Sequence, residues 1–129
     1  MGQVIGFAGY AAIFDVPDRA GDVVRRGAFA AAGRVPLLWQ HRGVPVGEIA
    51  AIGEDACGLR VRGTITALEL AGLVRAGALT GLSIGYRPRR VRQGTYRELI
   101  ELDLIEVSLV AQPMQRAARI LETLEETSE

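Results

Sequence analysis

Ser83 sits in the run Thr80-Gly81-Leu82-Ser83-Ile84-Gly85-Tyr86, with a glycine two residues to either side. A serine hydroxyl is too weakly acidic to attack a carbonyl unaided, so a nucleophilic role requires a base within hydrogen-bond reach. His41 is the only histidine in the chain and closes the run Leu37-Leu38-Trp39-Gln40-His41. Imidazole is the natural proton acceptor near neutral pH. A third group would orient that ring and stabilise its cation. Glu106, inside Leu104-Ile105-Glu106-Val107-Ser108-Leu109-Val110, is the carboxylate with that character, because an acid in an apolar run is costly unless partnered. Ser108 shares a strand face with Glu106 and is placed to support it from behind. The residues alone also admit a plainer reading, in which Ser83 fills a tight site and His41 is a histidine at the rim of a strand.

The remaining candidates are weaker. Of the three serines, Ser128 lies in the acidic end of the chain, where nothing holds it rigidly. Glu98, Glu101 and Asp103 are expected to face solvent or to pair with Arg. Arg87, Arg89, Arg90 and Arg92 follow Ser83 closely and read as charges that guard an exposed strand against edge pairing. Cys57 reads as a small packing residue. The G-x-S-x-G pattern is that of a nucleophile elbow, but an elbow needs a helix after the serine, and strand-forming residues follow Ser83.

The elements that must position these groups are mostly strands. Residues 3–14 read as a strand whose Gly6 and Gly9 permit bends or close backbone approach. Residues 35–41 and 44–53 follow as strands, separated by an Arg42-Gly43 turn. Residues 59–66 alternate strictly, with Leu59, Val61, Gly63 and Ile65 on one face. The period then changes, and Leu68, Leu70, Ala71 and Val74 fit a short amphipathic helix stopped by Gly77. Strand character resumes over 82–91 and 96–111. Leu82 and Ile84 should anchor the opposite face from Ser83. From Pro113 the pattern is helical, with Ala117, Ala118, Leu121 and Leu124 three or four residues apart. The expected architecture is mainly β: a small closed β-barrel with peripheral helices, one domain over residues 1–121 and a frayed acidic tail over 122–129. Strand–helix alternation is absent, which excludes a doubly wound α/β fold.

Composition removes several chemistries. The 129 residues contain 15 basic side chains, all arginine, and no asparagine. Schiff bases, Ser-Lys dyads and P-loop lysines are therefore excluded, as are mechanisms built on an Asn side chain. One Cys and one His leave no zinc-ligand cluster, so no metal or cofactor is expected. A net charge of zero argues against a general nucleic-acid binder. No apolar run is long enough for a membrane span, and no secretory signal is present, so no membrane partner is expected and the chain reads as cytosolic.

Taken in order, five segments resemble one family: Gly9-Tyr10-Ala11-Ala12-Ile13-Phe14; Asp22-Val23-Val24 with Gly27-Ala28-Phe29; Leu37-Leu38-Trp39-Gln40-His41 with Val46-Gly47; Gly77-Ala78-Leu79-Thr80-Gly81-Leu82-Ser83-Ile84-Gly85-Tyr86; and Leu104-Ile105-Glu106-Val107-Ser108-Leu109-Val110 with Pro113. The chain resembles the prohead (capsid maturation) serine proteases of tailed phages of the HK97 type, related in fold to the herpesvirus assembly proteases. The resemblance covers about residues 6–120. It implies Ser83 as nucleophile, His41 as general base, and Glu106 as third member where the herpesvirus relatives carry a second histidine. It implies oxyanion donors among the backbone N–H groups of Met114, Gln115 and Arg116. Many members read Pro-Ala-Asn where this chain reads Pro113-Met114-Gln115, a change that a backbone donor survives and an Asn side-chain role does not. The implied substrates are the major capsid protein and its scaffold segment. The implied setting is the inside of a procapsid in the host cytoplasm, and the implied state is a homodimer, for which the amphipathic C-terminal helix read from the sequence offers an interface. The contrasting expectation is a catalytically silent barrel serving procapsid assembly.

Overall fold

The computed structural model describes residues 4–30 and 32–125. Eight strands and one helix follow in the order β1 (Ile5–Ile13), β2 (Asp22–Val24), β3 (Leu37–Trp39), β4 (Arg42–Glu54), β5 (Gly58–Ile65), α1 (Leu68–Arg75), β6 (Gly81–Gln93), β7 (Arg97–Val110) and β8 (Ile120–Glu125). The alternation read for β5 is reproduced: Leu59, Val61 and Ile65 are buried while Arg60 and Arg62 are exposed. Those residues join Ile5, Phe7, Leu37, Leu82, Leu99, Val107 and Leu109 in one core on the inner face of the sheet. α1 covers part of it with Ala71 and Val74. The helix ends in a Schellman turn, where Ala78 N–H donates to Leu73 O and Gly77 N–H to Val74 O, with Gly77 at φ +77°.

All strands belong to one sheet, ordered β2-β7-β3-β4-β5-β1-β8, with β6 paired to β7. β7 organises the site side of the molecule. It pairs antiparallel with β6 along nearly its whole length. It pairs in parallel with β2 at Arg97–Leu99 and with β3 at Val107–Leu109. The distal half of β6 leaves the core as an exposed charged arm, where Arg89 pairs with Asp103 and Arg92 with Glu98.

Several expectations need correction. The sheet does not close as a continuous barrel: among the described residues its margins are joined by two isolated bridges, Phe14–Val24 and Gly81–Arg119, the latter flanked by Leu82 N–H donating to Ala118 O and Ile120 N–H to Thr80 O. The physical reason is that β6 diverges into the arm with β7 and offers β8 no continuous edge. The C-terminal helix is instead strand β8, paired antiparallel with β1, and Leu121 is 64% exposed. A free β1 edge overrode the helical period, and Gly9 let it do so, because a Cβ there would overlap the Arg119 carbonyl. The boundary set at residue 121 thus falls inside a strand, while residues 126–129 of the expected tail, with Ser128, lie outside the described residues, as does Gln3. Cys57 does not pack; it is exposed in the turn between β4 and β5, its N–H donating to Asp55 Oδ1. The turn after β3 is Gln40-His41, since Arg42 already pairs with Trp39 as the first residue of β4.

Candidate active site

Three neighbouring strands bring the singled-out residues to the outer face of the sheet. Ser83 is on β6, in register with Ser108 on β7, and Gly85 is in register with Glu106. Leu82 and Ile84 pair with Leu109 and Val107 on the opposite, core-facing side, as their alternation requires. β3 lies along the other edge of β7, so the residues that follow Trp39 return over Ser108 and Glu106.

His41 occupies a two-residue loop, with φ +53° at Gln40 and +65° at His41, the signature of a type I′ turn. Neither residue is a glycine or asparagine, so the conformation is strained and must be held from outside. Three hydrogen bonds to β7 and its end hold it. Gln40 N–H donates to Leu109 O at 3.0 Å, Ala111 N–H donates to Gln40 Oε1 at 2.8 Å, and His41 N–H donates to Ser108 Oγ at 3.0 Å. The chain thereby delivers the imidazole to Glu106: His41 Nδ1 lies 2.6 Å from Glu106 Oε2. The other carboxylate oxygen accepts from Ser108 Oγ at 2.6 Å. Glu106 is 8% exposed at its side chain and His41 42%. A buried carboxylate with both oxygens engaged faces an imidazole open to solvent. A carboxylate in that place favours a proton on Nδ1, which would leave Nε2 free to accept one.

Gly85 makes room for this pair. A Cβ there would overlap the Glu106 carboxylate, so this glycine seats the acid. Gly81 has an analogous role against the Val110 carbonyl and Pro113. Ser83 is 6% exposed. Among the described residues its hydroxyl has no hydrogen-bond partner, and no bond joins it to His41.

Beside Ser83 lies a cavity of about 130 Å³ whose walls include Asp18, Asp22, Tyr86, Met114 and Gln115. Asp22 is gripped by Arg97 through two bonds of 2.9 and 2.7 Å, and this hydrogen bonding holds its carboxyl below the usual range. Burial, with Asp22 and Asp18 adding to it, pushes the Tyr86 phenol up, so it stays neutral. The loop of Met114, Gln115 and Arg116 is pinned from two sides. Gln115 Oε1 accepts from Ile13 N–H and Gln115 Nε2 donates to Ile13 O, both at 2.8 Å. The Met114, Gln115 and Arg116 carbonyls accept from Arg19 N–H, Ala118 N–H and Arg119 Nε–H respectively. Among the described residues the N–H groups of these three have no partner.

Sequence reasoning missed Gln40, the strained turn and the Gln115 clamp. Gln40-His41 carries none of the Gly, Asn or Asp signals of such turns. The clamp joins residues 102 apart, which no local pattern reveals. Gly85 stands out in the sequence beside Ser83, but nothing local shows that the side chain it makes room for is Glu106.

The profile of the family described as Caudovirus prohead serine protease matches residues 2–129. The prohead protease of Enterobacteria phage HK97 is 34% identical over 92 residues, which cover 62% of this chain and 41% of its own length. The chain thus spans well under half of that relative. Among solved structures, the KSHV protease in complex with a hexapeptide phosphonate inhibitor superposes with a TM-score of 0.65 at 17% identity, over 98% of this chain and 66% of its own. That likeness is one of fold, and it is the mainly β, herpesvirus-protease-like fold expected. With the profile running through the segments that hold His41, Ser83 and Glu106, the chain belongs to the Caudovirus prohead serine protease family.

Proposed function

We propose that this protein is a serine endopeptidase that processes the major capsid protein and its scaffold segment inside an assembling procapsid in the host cytoplasm. The observation that carries the reading is the 2.6 Å contact between His41 Nδ1 and the buried Glu106, beside a serine with an unengaged hydroxyl one strand away. Ser83 is the nucleophile. His41 Nε2 takes its proton as Oγ attacks the scissile carbonyl, then returns that proton to the leaving amine. Glu106 orients the ring and stabilises its cation without accepting the proton. Water repeats the sequence on the acyl-enzyme. The hydrogen bond between Ser83 and His41 forms in the substrate complex, where such contacts tighten.

The N–H groups of Met114, Gln115 and Arg116 are the oxyanion donors. Support comes from their lack of partners and from the cavity that Met114 and Gln115 share with Ser83. A homodimer as the working form belongs to the same reading, and sedimentation across concentration checks it.

A fluorophosphonate probe should label Ser83 in the wild-type protein and not in Ser83→Ala. Capsid-protein processing should fall by about 10⁴-fold or more in Ser83→Ala and His41→Ala, and by less in Glu106→Gln. Wild-type processing by Ser83→Ala would leave the silent assembly module as the better reading.

A further inference from the structure

Ser108 is fully buried and touches both halves of the base–acid pair. Its oxygen accepts the His41 backbone N–H at 3.0 Å, and its hydroxyl proton goes to Glu106 Oε1 at 2.6 Å. A hydroxyl has one proton to donate, and an ionised carboxylate only accepts, so the direction of this chain is set: His41 N–H to Ser108, Ser108 to Glu106, and the His41 ring Nδ1–H to Glu106. The three bonds close a ring that starts and ends on the same residue. The backbone of His41 and its side chain are thereby referred to one carboxylate.

The ring matters because of what it constrains. His41 is held at φ +65° with no glycine to relieve it, so its backbone relaxes if the N–H loses its acceptor. Glu106 has Gly85 beneath Oε2 and Ser108 on Oε1, so its carboxylate has one seat while both are present. Ser108 is also in cross-strand register with Ser83, which keeps this ring against the nucleophile's strand.

Resting on the protease reading above, we propose that Ser108 is a positioning residue whose hydroxyl couples the strained His41 turn to the Glu106 carboxylate. Ring orientation and tautomer are then set as one unit. Ser108 touches neither substrate nor the attacking oxygen; it acts through His41 and Glu106.

The single histidine makes the test unambiguous, because every imidazole signal belongs to His41. Nitrogen-15 NMR of the wild-type protein should show the Nδ1–H tautomer. Ser108→Ala should convert it to a mixture or to Nε2–H, while Ser108→Thr, which keeps the hydroxyl, should restore the wild-type pattern. With a peptide substrate, Ser108→Ala should lower kcat about 10- to 100-fold and leave KM within about twofold. An unchanged tautomer and unchanged kcat in Ser108→Ala would overturn the proposal. So would Ser108→Thr behaving as badly as alanine while remaining folded by circular dichroism. Should Ser108→Ala fail to fold, the Ser108→Thr spectrum decides: a lost Nδ1–H signal in a folded protein overturns the proposal, and a retained one supports it. The NMR arm needs no turnover, so absence of activity or probe labelling in the wild type would sink the protease reading and leave this test standing.

Discussion

At the residue scale, the site depends on what is missing as much as on what is present. Gly85 lies across from Glu106, and the space of its absent side chain is filled by the carboxylate. Gly85→Ala is expected to push Glu106 off His41 while disturbing the core little, because position 85 faces away from it. The predicted signature is an activity loss of at least about tenfold with a cost of about 1–3 kcal/mol in stability. Peptide hydrolysis and urea denaturation measured on the same preparation check it; full activity would mean the carboxylate has a second seat. That Glu106 would be partnered was legible, because an acid in an apolar run is costly alone. The role of Gly85 was not, because a glycine's contacts belong to whichever side chain lies across the sheet.

At the element scale, β7 gathers the site and ion pairs fasten its neighbours. Asp22 ties β2 to β7 through Arg97, and Glu98 on β7 takes Arg92 from β6 and Arg25 from the segment after β2. Arg92 and Arg25 draw the Glu98 carboxyl down from 4.5 to about 2, and Arg97 lowers that of Asp22. Folded-state values below the unfolded ones mean that the stability these acids contribute is present above about pH 4.5. It is lost as pH falls through the folded values toward 2. The denaturation midpoint should therefore hold steady from pH 7 to about 5 and then decline toward pH 2. Arg97→Met should flatten part of that decline. A midpoint insensitive to acid would show that the pairs contribute nothing. The strands themselves were legible from their alternation and β-branched content. The pairing of Asp22 with Arg97 was not, being a contact between residues 75 apart.

At the scale of the whole molecule, the sheet nearly returns on itself. β8 brings the C-terminal segment onto β1, and the Gly81–Arg119 bridge carries it toward the strand of Ser83. At Gly9 a Cβ would overlap the Arg119 carbonyl. Gly9→Ala should destabilise the protein by about 1–3 kcal/mol and raise hydrogen exchange in residues 120–124 above that in β5. Equal exchange in both variants would mean that β8 docks independently of that contact. The exposed Leu121 shows why sequence periodicity misled here: leucines three apart suggested a buried helical face, yet the segment's fate was decided by an unpaired edge elsewhere in the chain.

By itself the sequence determined most of the strand content and the short helix with its glycine stop, and it singled out His41, Ser83 and Glu106 as candidates. One histidine and three serines kept the list of candidates for a Ser-His pair short. Tertiary structure alone decided where the barrel stays open, what the C-terminal segment becomes, and how a strained two-residue turn meets a buried carboxylate. Local patterns encode which face of a segment is apolar. Which edge it pairs with, and which carboxylate a ring nitrogen reaches, depends on atoms dozens of residues away.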